Sequence, residues 1–160
     1  MIEESTALDA LRDRIEITDV LYRYASSIDT FDFDGGLRSV LADDLVAQYG
    51  NADPYHGADE VVGFVKEWCK TCVMQHHFLS VYHVEVSGDT ATALVYHTSH
   101  QLFDPNPSVV NVLVGRYRNE LRRTDEGWKI SKLLLELCWA ERRADATGYL
   151  DEVGGRGPVA

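Results

Sequence analysis

In the N-terminal part of the chain, hydrophobic residues recur every three or four positions: Leu8, Leu11, Ile15, Tyr22 and Ala25, joined by Ile17, Leu21, Tyr24 and Ile28. This spacing predicts one long helix with a wide apolar face. A capping box at Thr6-x-x-Asp9 would open it, and Asp29-Thr30-Phe31-Asp32 breaks it. Leu37, Val40 and Leu41 predict a short second helix ending before Asp43-Asp44, and Leu45, Val46 and Tyr49 a brief strand. After the turn residues Asn51-Ala52-Asp53-Pro54 and Gly57, the spacing of Val61, Val62, Phe64, Val65 and Trp68 predicts a third helix from Ala58 to about Cys72.

The period then changes to two. Phe78 to Val86, Thr90 to Phe103, Val109 to Arg122 and Trp128 to about Trp139 read as long strands rich in Val, Tyr, Thr and Leu. They are separated by Ser87-Gly88-Asp89, Asp104-Pro105-Asn106-Pro107 and Thr124-Asp125-Glu126-Gly127. Short connections mean antiparallel hairpins, so helices come first and sheet second, the α+β class. Residues 1–147 form one domain in this reading, and residues 148–160, with four of the twelve glycines, a flexible tail. Three helices on one face of a strongly bent sheet leave an open cone, a natural place for a small apolar ligand.

Composition narrows the function. The chain has 160 residues, 45% hydrophobic and 26% charged, and 15 basic against 26 acidic residues give a net charge of −11. Such a surface is repelled by phosphate backbones and anionic lipid, which argues against nucleic acid and membrane partners. No apolar run is long enough to span a bilayer, since Leu133-Leu134-Leu135 is soon broken by Glu136. Met1-Ile2-Glu3-Glu4 is acidic and lacks the apolar core of a secretory signal. Three cysteines, Cys69, Cys72 and Cys138, cannot all pair within one chain, and a reduced cytoplasmic protein is the simplest reading. The helix-interior flanks of Cys69-x-x-Cys72 lack the Gly or Pro of a redox turn.

Six histidines are candidates for chemistry. His56 lies in a turn, while His83 and His97 sit inside strands, where a structural role is the simpler reading. His76-His77 and His100 lie at strand ends that a hairpin turning at Gly88 brings together. A metal would need a converging set such as His77, His100 and Asp29, but no pair has a diagnostic metal spacing, so none is expected. Acid–base chemistry needs less: an imidazole whose tautomer is fixed by a carboxylate, here Asp29, whose simpler role would be capping the helix break. Tyr24, five residues earlier and about 140° around the helix axis, can flank the same cavity. Tyr24 and Tyr49 can donate hydrogen bonds to a substrate oxygen, or else be ordinary core tyrosines. Strand alternation puts His77 with Leu79, Val81 and His83, whereas Phe78, Tyr82, Val84 and Val86 look more uniformly apolar. A bulge near Ser80 would remove that conflict.

The string Ile17-Thr18-Asp19-Val20-Leu21-Tyr22-Arg23-Tyr24-Ala25 ending at Asp29, His77-Phe78-Leu79-Ser80, the Gly88-Asp89-Thr90-Ala91-Thr92-Ala93 turn and Gly115-Arg116-Tyr117 through Arg122-Arg123-Thr124-Asp125-Glu126-Gly127-Trp128-Lys129-Ile130 resemble the SnoaL-like branch of the nuclear transport factor two-like superfamily. The resemblance implies a cone-shaped barrel with three N-terminal helices on a strongly curved, mainly antiparallel sheet. It also implies a homo-oligomer, dimer or trimer, with a pocket inside the cone and no metal or organic cofactor. Its nearest functional likenesses are scytalone dehydratase, bile-acid dehydratase and hexachlorocyclohexane dehydrochlorinase. By that likeness Asp29 matches a helix-end aspartate and His77 the histidine it holds. Tyr24 matches a helix tyrosine, Tyr49 a strand tyrosine and His100 a second histidine. The expectation is a cofactor-free lyase acting on an apolar, ring-containing small molecule, with His77, Asp29 and Tyr24 catalytic and Tyr49 and His100 binding substrate. An isomerase or cyclase with the same dyad, and a non-catalytic binding or association domain, are the alternatives.

Overall fold

The computed structural model describes residues 2–103 and 109–144. The first element, α1, runs over Ile2–Asp29 and so begins before Thr6, the residue expected to cap it. Its wide apolar face splits in two. Ile17, Leu21, Tyr24 and Ile28 form a buried stripe, whereas Leu8, Leu11, Ile15 and Tyr22 lie about 140° away around the axis and are exposed. The helix ends with Phe31 in the left-handed region (φ 60°). There the Asp32 N–H reaches back to the Ser27 carbonyl and the Phe31 N–H to that of Ile28, the pattern that closes a helix on its last carbonyls. Asp32 then accepts from the N–H groups of Gly35 and Gly36, capping a π-helical turn over Phe33–Leu37.

Six strands follow in one sheet: β1 (Leu41–Tyr49), β2 (Tyr55–His56), β3 (Cys72–Ser87), β4 (Thr90–Phe103), β5 (Val110–Thr124) and β6 (Gly127–Arg143), with helix α2 (Ala58–Cys69) between β2 and β3. The spatial order is β2-β1-β6-β5-β4-β3. All neighbours are antiparallel except β1 and β6. The result is an α+β fold in which the N-terminal helices pack on a curved, mostly antiparallel sheet. Its core joins Ile17 of α1 to Leu37, Leu41, Leu45, Leu121 and Ile130.

Several boundaries differ from the sequence reading. Asp43 and Asp44 belong to β1, where their exposed carboxylates pair with Arg38 and Arg122. His56 pairs with Val46 as part of β2. Helix α2 stops at Cys69, and β3 begins at Cys72, six residues ahead of Phe78. The expected bulge lies at Tyr82 rather than Ser80, where pairing jumps from Val81–Val95 to His83–Leu94. It lets His77, Leu79 and Val81 share the inner face with Val84, turning Phe78, Tyr82 and His83 outward. The proposed tail, residues 148–160, lies outside the described residues, as does the Asp104-Pro105-Asn106-Pro107 turn.

One polar contact locks α1 onto the sheet. Buried Asp13 accepts from Arg123 Nη2 at 2.7 Å and from Trp128 Nε1 at 3.4 Å, while the Arg123 guanidinium lies 4.5 Å over the Trp128 ring. No described helix is long and apolar enough to cross a membrane.

Candidate active site

Asp29 is the last residue of α1, where the helix dipole disfavours a carboxylate. Two hydrogen bonds from β3 offset that cost. Asp29 Oδ2 accepts the backbone N–H of His77 at 2.9 Å, and Oδ1 lies 2.5 Å from His77 Nδ1. Capping of the following turn is carried out by Asp32. A carboxylate can only accept, so the hydrogen of a neutral His77 sits on Nδ1 and leaves the Nε2 lone pair free.

Tyr24 reaches the same cavity from the preceding turns of α1, and Tyr49 from the end of β1. Their hydroxyls are 2.8 Å apart, so one donates to the other and one proton remains to donate elsewhere. Burial raises both well above the ordinary phenol range, and that of Tyr117, which meets Tyr24 edge-on, so all three act as neutral donors.

The structure turns His100 away from this group. Along β4 the buried inner positions are His97, Ser99 and Gln101, and His100 alternates to the opposite face, stacked on His76. The expected substrate role of His100 therefore lacks a place in the cavity. His97 takes that place, 6.1 Å from the His77 ring and 4.8 Å from that of Tyr117. Burial and the neighbouring His77 lower its pKa to about 4, keeping it neutral. Strand alternation counted from His100 carried this information, but a lone strand histidine gave no reason to prefer it.

Tyr24, Tyr49, His77, His97 and Tyr117 line a cavity of about 270 Å³, near the small end for ligand sites. Phe64, Val65 and Trp68 of α2 wall one side, with Ile28, Leu113 and Leu135 adding apolar surface. Among the described residues, no lysine or arginine lines it. His77, Asp29 and His100 do not converge as metal donors, and no cluster of three such side chains occurs among the described residues. Cys69 is buried at the cavity wall, and burial pushes both Cys69 and Cys72 up, Cys72 to about 11, which makes them poor nucleophiles.

The SnoaL-like domain model matches residues 9–133. The chain belongs to the SnoaL-like family. An uncharacterised protein of Mycobacterium tuberculosis is 28% identical over 133 residues, which cover 81% of this chain and 88% of that protein. Among solved structures, this SnoaL-like domain is similar to hexachlorocyclohexane dehydrochlorinase LinA-type3 of Novosphingobium barchaimii (TM-score 0.77, 22% identity, 86% of this chain and 94% of that one). It is also similar to a scytalone dehydratase-like protein of Novosphingobium aromaticivorans (TM-score 0.76, 16% identity, 98% and 97%). At these identities the structural likeness establishes the SnoaL-like fold.

Proposed function

We propose that this SnoaL-like protein is a cofactor-independent lyase that eliminates water, or a comparable leaving group, from a small apolar ring compound. The observation that carries this reading is the Asp29–His77 contact, with His77 lining a largely apolar cavity. His77 Nε2 removes a proton from carbon; the C–H electron pair becomes the new double bond, and the leaving hydroxide departs with its bonding pair. The imidazolium then returns its proton to that hydroxide, releasing water and restoring the neutral ring. Asp29 holds the tautomer and stabilises the imidazolium. Tyr24 and Tyr49 orient a substrate oxygen through their free hydroxyl proton. Neutral His97 beside His77 adds no like charge against the imidazolium. The neighbours named as a dehydrochlorinase and as scytalone dehydratase-like support elimination as the reaction class.

The experiment is incubation of the purified protein with cyclic β-hydroxyketones, followed by mass spectrometry of the products. Loss of one water, abolished in His77→Ala, supports the lyase. Proton exchange with products of unchanged mass overturns it in favour of an isomerase.

The outer face of the sheet exposes Phe78, Tyr82, Tyr96 and Trp139 beside the Arg116, Arg118 and Glu136 ion pairs. We take this mixed aromatic and self-complementary charged face to join two copies of the chain. Light scattering that reports a monomer at micromolar concentration would overturn it. We place the protein in the cytoplasm, where its thiols stay reduced.

A further inference from the structure

Asp29 can steer His77 only if Asp29 is itself held in place, and it is the last residue of a helix, where chain ends fray. A buried side chain two residues ahead of His77 reaches that helix end. Gln75 is 5% exposed, and its Nε2 donates to the Ile28 carbonyl at 2.5 Å. The amide also meets the thiol of Cys69, the last residue of α2, with Sγ 3.7 Å from Oε1 and 3.4 Å from Nε2. One side chain at the start of β3 thus ties together the ends of both helices.

We propose that Gln75 is a positioning residue for the Asp29–His77 pair: it clamps the peptide plane from which Asp29 extends, and so fixes which ring nitrogen of His77 keeps the proton. This deepens the lyase reading and rests on it in taking Asp29 and His77 as an acid–base pair. The Ile28 carbonyl and the Asp29 Cα belong to one planar peptide unit, so a bond to that oxygen restrains the Asp29 backbone directly. The only other bond given for this carbonyl among the described residues comes from the Phe31 N–H at 3.2 Å. That bond lies within the same turn and cannot hold the turn against β3.

The sheet makes the clamp necessary. β3 lies at one edge, so alternate backbone N–H groups face away from β4 and need other partners. The end of α1 meets this edge with two adjacent acceptors, the Ile28 carbonyl for the Gln75 amide and the Asp29 carboxylate for the His77 N–H and ring. If the first contact is lost, the second alone must hold the helix end, and an imidazole that loses its carboxylate acceptor is free to carry its proton on Nε2. The residue type matters as well. Glutamate would set a carboxylate against the Ile28 carbonyl and beside Asp29, whereas methionine fills a similar space without donating.

The test is long-range proton–nitrogen NMR of the histidine rings in the full ¹⁵N-labelled chain at about pH 8, where an ordinary imidazole is neutral. The parent protein should show His77 protonated on Nδ1. Gln75→Met should let the Nε2-protonated form appear, lowering the ratio of the two forms about tenfold, and Gln75→Leu supplies the same readout if the methionine variant does not fold. Leu121→Ala, a truncation in the core at the far end of β5 from the site, is the control for lost stability and should leave the ratio unchanged. An unchanged ratio in the Gln75 variants, or an equal fall in Leu121→Ala, overturns the positioning role. The spectra are read without substrate, which separates this failure from that of the lyase reading: a parent His77 protonated on Nε2 overturns both, whereas a parent Nδ1 proton that survives in the Gln75 variants overturns the clamp alone.

Discussion

Asp29 holds His77 at two points, its Oδ2 on the backbone N–H and its Oδ1 on the ring Nδ1. The first fixes where the residue sits, and the second fixes which ring nitrogen keeps the proton. Asn in place of Asp29 can still accept from the backbone, but it can present N–H to the ring and so favour the tautomer that protonates Nε2. Asp29→Asn is expected to lower kcat about 10²–10⁴-fold with little change in ligand affinity, measured by steady-state kinetics beside a binding titration. Equal loss of affinity and kcat would assign Asp29 to binding alone.

The tyrosine pair makes a separate prediction. In Tyr49→Phe the buried Tyr24 hydroxyl loses its partner, at a cost of about 1–3 kcal/mol. Tyr24→Phe should cost a similar amount. The double variant should cost less than the two combined, because it leaves no orphaned hydroxyl. Urea denaturation of the four proteins closes the cycle, and strict additivity would show that the hydroxyls do not interact.

His97 predicts a pH dependence. Its folded pKa is lowered from 6.5 to about 4. As pH falls through 6.5 the unfolded chain takes up a proton that the folded chain refuses, so stability drops between about 6.5 and 4 and this contribution levels off below. The loss is on the order of 3 kcal/mol across that window. His97→Phe should flatten the corresponding part of the curve, read as melting temperature against pH. A variant curve parallel to that of the parent would contradict the assignment.

Asp13 acts in a lower window. The Arg123 hydrogen bond holds its carboxyl below the usual 3.8, so the stability it contributes is present above that value and is lost as pH falls below it. Asp13→Asn keeps the shape and removes the charge. A destabilisation of about 1–2 kcal/mol is expected at neutral pH, because Arg123 remains partly solvated. Chemical denaturation checks this, and an unchanged midpoint would assign the contact no net role.

The fold was legible wherever periodicity was long and one-sided. The Val-, Tyr- and Thr-rich strands after Phe78 and the stripe of Ile17, Leu21, Tyr24 and Ile28 follow directly from spacing. The sequence pattern was weakest where charge sat on a strand, as at Asp43 and Asp44, because the ion pair of Asp44 comes from Arg122, distant in the chain. The site was legible through Asp29 and His77, whose meeting needs only a helix end and a strand start. Tyr82 was the obstacle to the rest. Its extra residue reverses alternation within β3, so local parity there does not say which face is inward; β4 alternates without a break from Ala91 to Gln101, and the expectation for His100 rests on the family resemblance alone.

Helix α1 is pinned near its middle by Asp13 to Arg123 and at its C-terminal end by Asp29 to His77. Sixteen residues, about 24 Å of continuous helix, separate the two anchors. The segment therefore behaves as a ruler with both ends fixed to one sheet. Adding or removing a single residue between the anchors would swing one of them about 100° from its partner. Length variation among related chains should accordingly collect in the loops and at the ends of strands, while the interval from Asp13 to Asp29 stays constant in number.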